Sequence, residues 1–264
     1  RLFPPRKALE VAQDRLVEKR FVADLGGRPA PHAAVDSRAD LDAAMERIGT
    51  PGILKTRGEG YDGKGQWRLR DVRDADGVGA ISQPAIYEGF VTFEAEFSVI
   101  LVRGQDGAIR FWDSSRNIHK DGILNASVLP AGEAVETQVE EARALSRQVA
   151  DALKYVGVLT LEFFATKDGP VFNEMAPRVH NSGHWTIEGA ATSQFANHMR
   201  AVAGLPLGAT DTIAPQIRME NLIGAEANTA HALLSEPDLH LHLYGKAKAR
   251  DGRKMGHVTR IVRA

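Results

Sequence analysis

The stretch TRGEGYDGKGQWRLR, Thr56 to Arg70, limits the fold more than any other. Gly58, Gly60 and Gly63 spell GxGxxG, and Gly65 adds a fourth glycine. In a doubly wound dinucleotide-binding sheet, the third glycine must open a helix whose N-terminus holds the pyrophosphate. Here Gly63 is followed, after Lys64 and Gly65, by QWRLR, which alternates as a strand does. A Walker A loop fails too, because Gly65 follows Lys64 where Ser or Thr is required. No HRD or DFG follows, so the kinase use of a glycine hairpin is excluded. What remains is strand, glycine loop, strand. Its backbone N–H groups can fold over phosphates, and Lys55 at the end of GILKT is placed to reach one. A plain surface hairpin with a solvated lysine is the competing reading.

The rest of the chain patterns as α+β, with hairpins between helices rather than regular βαβ alternation. Residues 1–11 read as a linker broken by Pro4 and Pro5. A helix is predicted over about 12–25, with Leu16, Phe21 and Leu25 on its apolar side and Gly26–Gly27 as the stop. APHAAV is a strand, and SRADLDAAMERIG a helix capped by Ser37 with Asp40 three residues on. Further strands are GILKT, QWRLR and AIYEGF, and EAEFSVILVRG and AIRFWDSS form a meander turning at Gln105-Asp106-Gly107. EAVETQVEEARALSRQVADALKY has helical spacing, and SQFANHMRAVAG is a later helix. Strands at LHLHLYG and HVTRIVR close the chain.

Composition narrows the function. A net charge of −1 supplies no field for nucleic acid or an anionic membrane. The absence of cysteine removes disulfides, thiolate nucleophiles and cysteine metal sites, and suits the cytosol. No apolar run approaches the roughly 20 residues that span a bilayer. The opening RLFPPRKALE has no initiator Met and no signal-peptide core, which points to a soluble, truncated chain.

The clearest hairpin is VLTLEFFATKDGPVFNEM, turning at Lys167-Asp168-Gly169. A three-residue loop with Gly169 in the left-handed position sets Glu162 opposite Glu174. Two carboxylates opposed in apolar strands repel, and a bound cation reverses that sign. Oxygen ligands with open positions suit magnesium, and Asn173 adds a neutral oxygen. A two-residue loop instead puts the two glutamates on opposite faces, one in solvent and one paired with a cation.

KTRGEGYDGKGQW, LTLEFF…VFNEMAPRVHNSGHWT and YGKAKARDGRKMGHV together resemble the ATP-grasp 5-(carboxyamino)imidazole ribonucleotide synthases of purine biosynthesis. The loop with Arg178, His180, Asn181 and His184 is the most specific part, and the likeness runs from about residue 12 to the end. It implies two α+β subdomains clasping ATP, at 14–90 and 91–204, and a small β-rich C-terminal domain at 205–264. Residues 1–13 become the linker after a Rossmann-like first domain that this chain does not carry. That domain supplies part of the substrate surface, so the piece is expected to be incomplete for catalysis.

The resemblance also implies residue roles. Arg15 and Lys55 contact the ATP phosphates, and Gly60, Tyr61, Asp62, Gly63, Lys64, Gly65 and Gln66 form the flap over them. The backbone of Glu88, Gly89, Phe90 and Val91 reads the adenine edge. Glu96 holds the ribose, and His119 sits beside the nucleotide. Glu162 and Glu174 carry magnesium, with Asn173 beside them. Arg178, His180 and Asn181 face bicarbonate and aminoimidazole ribonucleotide. Tyr61 and Asp62 close over that substrate, and Lys254, Lys246 or Arg253 points toward it. A cytoplasmic homodimer is implied as well.

Bland readings stand beside these. Arg15 is by default a solvated helix residue, Glu88 and Glu96 flank strands, and His119 is a polar-loop histidine. His180 and His184 are spaced i,i+4 but interrupted by Gly183 with no third ligand motif, which argues against zinc. KAKARDGRK reads most simply as a basic solvated turn. Other ATP-grasp ligases, formate-dependent or biotin-carboxylase-like, lack the PRVHNSGHWT loop. A non-catalytic nucleotide-binding module is the alternative from another class.

Overall fold

The computed structural model describes residues 2–58 and 65–262. In the first third, α1 (Arg6–Ala12) and α2 (Arg15–Asp24) precede β1 (His32–Val35), α3 (Arg38–Ile48), β2 (Gly52–Thr56), β3 (Gln66–Leu69) and β4 (Ala85–Gly89). The middle holds β5 (Ala95–Arg103), β6 (Ile109–Phe111), β7 (Ser115–Lys120), β8 (Ile123–Leu129), α4 (Glu133–Glu136), α5 (Val139–Ala152), β9 (Gly157–Thr166) and β10 (Gly169–Ala176). The remainder is α6 (Thr186–Gly189), α7 (Gln194–Val202), β11 (Gln216–Ile223), α8 (Ala230–Leu233), β12 (Leu239–Leu243) and β13 (Lys254–Val262).

Among the described residues the strands form two sheets. A four-stranded sheet runs β1-β4-β2-β3, and a nine-stranded one runs β10-β9-β5-β7-β8-β11-β13-β12 with β6 beside β5. Phe97, Leu161 and Phe163 of the large sheet pack against Val22 of α2 and Val149 of α5. On the other side Val158 and Ile217 join Trp112, Trp185 and Ala201 of α7. The small sheet packs Leu54 and Tyr87 against Leu41 and Met45 of α3. The strands of 205–264 are continuous with the rest, because β11 pairs with β8 through Ile217↔Leu129.

Several elements form for the reasons the sequence suggests. Ser37 caps α3 by accepting from the Asp40 amide. The helix predicted over 12–25 is α2, Arg15–Asp24, which starts about three residues later than expected. Asp14 accepts from Leu16 N and Val17 N and so starts α2 afresh. Arg6–Ala12, expected within a linker, is helical with Pro5 as its N-cap, where a missing N–H costs nothing. A hairpin with no counterpart in the sequence reading joins β7 and β8 at Asp121 (φ 52°) and Gly122 (φ 76°). Both turn residues have positive φ, as a type I′ hairpin turn requires.

The hairpin β9–β10 reaches the expected facing pair by another route. Its turn has two residues, Lys167 and Asp168, because Thr166 pairs with Gly169 (φ 100°). A regular ladder from that turn would set Glu162 against Asn173 and rotate Glu174 to the other side. The register shifts by one between Phe172 and Glu174, so Asn173 is a bulge and Glu174 again lies opposite Glu162.

Candidate active site

A cleft of about 810 Å³ lies between the two sheets, in the size range of small-ligand sites. Of the residues expected to act, Arg15, Lys55, Gln66, Glu88, Gly89, Phe90, Val91, Glu96, His119, Glu162, Asn173, Glu174, Arg178, His180, Asn181 and Lys254 all line it. Gly60, Tyr61, Asp62, Gly63 and Lys64 fall outside the described residues. Gly65 turns into the return strand β3 at φ 69°, its carbonyl accepting from Thr56 N at 2.9 Å.

Lys246 and Arg253 are not among the lining residues. The Lys246 ammonium donates to the Lys254 carbonyl and lies over the Tyr244 ring, and Arg253 donates to the Lys248 carbonyl at 3.3 Å. The backbone they grip belongs to their own turn, and Lys254, at the start of β13, is the one of the three that lines the cleft.

The strands set the side chains. On β2 and β4, neighbours in the small sheet, Lys55 Nζ stands 2.9 Å from Glu88 Oε2, both groups buried. Glu88 therefore does not flank a strand in solvent. Burial alone would push its carboxyl up, but Lys19 and Lys55 outweigh that and hold it at about 2. The amides of Gly89 and Phe90 are taken by the Pro31 and Pro51 carbonyls. His119 lies on strand β7, beside a register shift, rather than in a loop. Its Nδ1 stands 2.8 Å from Glu96 Oε2. Burial opposes its charge, and the Glu96 carboxylate reverses the balance and raises its pKa.

Glu162 and Glu174 meet across the hairpin with different ionisation. Burial first, and the Glu174 charge second, push the Glu162 carboxyl up to about 7. Glu174 also loses hydration, but Arg15 Nη1 at 3.1 Å from its Oε2 wins and lowers its pKa. Opposed carboxylates with hard oxygen donors fit a divalent cation such as magnesium. Among the described residues no group of three or more His, Asp or Glu side chains is arranged to hold a metal. A cation here would take two carboxylates and complete its shell with ligand and water oxygens.

The loop after β10 is fixed by Gln194, which is fully buried at the start of α7. Its amide accepts from His180 N at 2.9 Å and donates to His180 O at 2.6 Å. His180 Nδ1 sits 2.9 Å from Ser182 Oγ and 3.6 Å from Glu162 Oε1. Burial, then Arg178, depress its pKa to about 3, so the ring is neutral near pH 7. Asn181 exchanges two amide hydrogen bonds with Asn221 of β11, at 2.9 and 2.7 Å. His184 turns away to Tyr244, with Nδ1 3.1 Å from the hydroxyl.

Sequence reasoning missed several cleft residues. Phe93 and Phe164 stack at 4.7 Å as an apolar wall, Arg68 and Asp121 add charge, and Glu18 adds a buried carboxyl. Glu18 had a readable signal, since it lies three residues from Arg15 on one helix face.

Lys55→Met is expected to weaken ATP binding by about tenfold or more, the worth of one charge-assisted hydrogen bond. Nucleotide titration of the variant checks it, and parental affinity would remove Lys55 from the phosphates.

The ATP-grasp domain family matches residues 20–195, and the phosphoribosylaminoimidazole carboxylase C-terminal domain family matches 218–263. The N5-carboxyaminoimidazole ribonucleotide synthase of Brucella melitensis is 51% identical over 98% of this chain and 73% of its own length. The crystal structure of the Thermus thermophilus synthetase superposes with TM-score 0.89 at 47% identity, covering 100% of this chain and 71% of that one. An Aspergillus clavatus synthase in complex with ADP and 5-aminoimidazole ribonucleotide matches with TM-score 0.91 at 29% identity, over 99% and 72%. With two thirds of the chain matched to one domain family and half of its residues shared with that relative, the chain belongs to the N5-carboxyaminoimidazole ribonucleotide synthases of the ATP-grasp fold.

Proposed function

We infer that this chain is an ATP-dependent carbon–nitrogen ligase that carboxylates 5-aminoimidazole ribonucleotide on its exocyclic amine, a step of purine biosynthesis. The observation that carries the reading is the facing pair Glu162–Glu174 in a cleft that also holds Lys55, Arg178, His180 and Lys254.

Bicarbonate is the proposed carbon source. It is a poor electrophile, so one of its oxygens attacks the γ-phosphorus of ATP, ADP leaves, and carboxyphosphate forms. The amine nitrogen then attacks the carboxyl carbon, or carbon dioxide released from it. Phosphate departs and the nitrogen loses a proton. Lys55 and Arg15 orient the phosphates, and Arg178 and Lys254 offset the charge that accumulates at the transferred group. His180, neutral at working pH, hydrogen-bonds the acceptor without adding charge. Glu162 and Glu174 would hold magnesium, which would neutralise charge on the phosphate oxygens. The segment with Tyr61 and Asp62, between β2 and β3, is the proposed cover that keeps water from carboxyphosphate. Asn173, Glu96 and His119 are assigned to the nucleotide, and the backbone around Val91 to adenine. A cytoplasmic homodimer is proposed on family likeness alone.

The test is phosphate release from ATP with bicarbonate, with and without aminoimidazole ribonucleotide. Stimulation by both together is expected. Stimulation by formate in place of bicarbonate would move the chain to another ligase class, and ATP binding without turnover would make it a binding module.

A further inference from the structure

Two buried ionisable side chains on α2 have no task in the chemistry above. Glu18 is 2% exposed and Lys19 1%, and ionisable side chains reach such burial only with partners. Their partners lie on the backbone of the β10 bulge. Met175 N donates to Glu18 Oε1 at 2.7 Å, and Lys19 Nζ donates to the Asn173 carbonyl at 3.0 Å. These two backbone groups flank Glu174 on either side. A bulge takes groups out of the ladder, and buried backbone groups need other partners. The helix supplies one acceptor and one donor in their place. Lys19 also stands 3.4 Å from Glu88 Oε1, which ties the bulge to the Glu88–Lys55 pair of the small sheet. Arg15, one turn earlier on the same face, reaches Glu174 itself.

We propose that Glu18 and Lys19 are positioning residues for the reaction. They hold the Asn173 bulge and so keep Glu174 facing Glu162. Packing alone would be met by apolar groups, as it is at Val22 on the same face. An acceptor and a donor aimed at the two sides of one residue match the bulge instead. Were the bulge to relax into a regular ladder, Asn173 would take the place opposite Glu162, and Glu174 would turn toward the helices. Glu18 is needed as an oxygen acceptor, which glutamine supplies and leucine does not. Lys19 is needed as a donor at full length.

The proposal rests on the cation reading of Glu162 and Glu174, and the experiment separates the two. Mn²⁺ binding is measured by electron paramagnetic resonance on the whole chain with saturating ADP. ADP binding without metal and a thermal melt are recorded alongside. Glu18→Leu and Lys19→Met are expected to weaken Mn²⁺ binding about tenfold or more, with metal-free ADP binding within about twofold of the parent. Glu18→Gln should keep parental Mn²⁺ affinity. Unchanged Mn²⁺ affinity in folded Glu18→Leu and Lys19→Met overturns the proposal. So does an equal loss of metal-free ADP binding, or a loss in Glu18→Gln as large as in Glu18→Leu. Where an apolar variant shows no melting transition, Lys19→Gln decides, since its amide is too short to reach Asn173. Weakened Mn²⁺ binding there supports the clamp, and parental affinity rejects it. A parent chain that binds no Mn²⁺ sinks the cation reading, and the clamp with it.

Discussion

Glu174→Gln is expected to lower magnesium-dependent ATP cleavage by about 10³-fold while leaving the fold intact. The substitution keeps the side chain's shape and its place beside the bulge, so packing against the hairpin is unchanged. What it removes is the charge that Arg15 holds ionised at 3.1 Å. The variant loses one of the two carboxylates of the proposed cation site. It also relieves Glu162 of its like-charged neighbour, so that carboxyl, now raised to about 7 by burial and Glu174, should titrate lower. Phosphate release as a function of magnesium reads the first effect. Turnover matching the parent at any magnesium level would show that Glu174 does not carry the reaction's cation. A loss that excess magnesium restores would instead make Glu174 a ligand of affinity rather than of catalysis.

The position of Glu174 also shows what the sequence could and could not reveal. That it faces Glu162 across a hairpin was legible as a feature needing a reason, because two opposed glutamates in apolar strands are costly. Its register was not, because the deciding residue is a bulge. A two-residue turn and a one-residue bulge restore the pairing that a three-residue turn alone would give, and nothing local in FNEM marks Asn173 as the extra residue. The signal lay about 155 positions away, in Glu18 and Lys19, where two charges follow Arg15 on the face that meets β10. Periodicity assigns that helix by Leu16, Phe21 and Leu25, and buried charges break the pattern it relies on.

Other misses have similarly local causes. The β7–β8 hairpin hides behind polar residues: Ser115, Asn117 and Ser127 face inward and satisfy one another by hydrogen bonds, so apolar alternation is weak there. Its Asp121-Gly122 turn was nevertheless a readable mark. The charge of Glu88 was unreadable for a different reason, since both of its cationic partners come from other elements.

Acid stability is expected to fall in two stages, gently from pH 6.5 to about 4.5 and then steeply. Three histidines drive it. His257, His180 and His184 are pushed down by burial to about 3, about 3 and about 4, from an ordinary 6.5. Below 6.5 the unfolded chain binds protons that the folded rings refuse, so each costs about 1.4 kcal/mol of stability per pH unit of acidification. His198 shifts in the same sense. Two carboxyls oppose them. Burial raises Glu18 to about 8 and, with Glu174, Glu162 to about 7, so both are protonated when folded and ionised when unfolded above 4.5. Their contribution grows as pH falls from those values to 4.5, and it offsets most of the histidine loss there. Below 4.5 both states hold those protons and the offset stops growing. Glu88, held at about 2 by Lys19 and Lys55 against its burial, then adds to the loss, because its unfolded form protonates first. The steep limb should run from 4.5 to about 4, where His184 begins to titrate in the folded state. Urea midpoints at closely spaced pH values measure it, and His257→Gln should flatten the slope by about one proton between 6.5 and 4.5. A steep loss already at pH 6, or an unaltered slope in His257→Gln, would contradict the neutral buried cluster. The consequence for the site is direct. His257 stacks on His242 at 4.5 Å and bonds Tyr244, Tyr244 bonds His184, and His184 Nδ1 lies 3.2 Å from the Asn181 amide. Protonating that cluster is expected to weaken this link between β13, which carries Lys254, and the loop that carries His180 and Asn181.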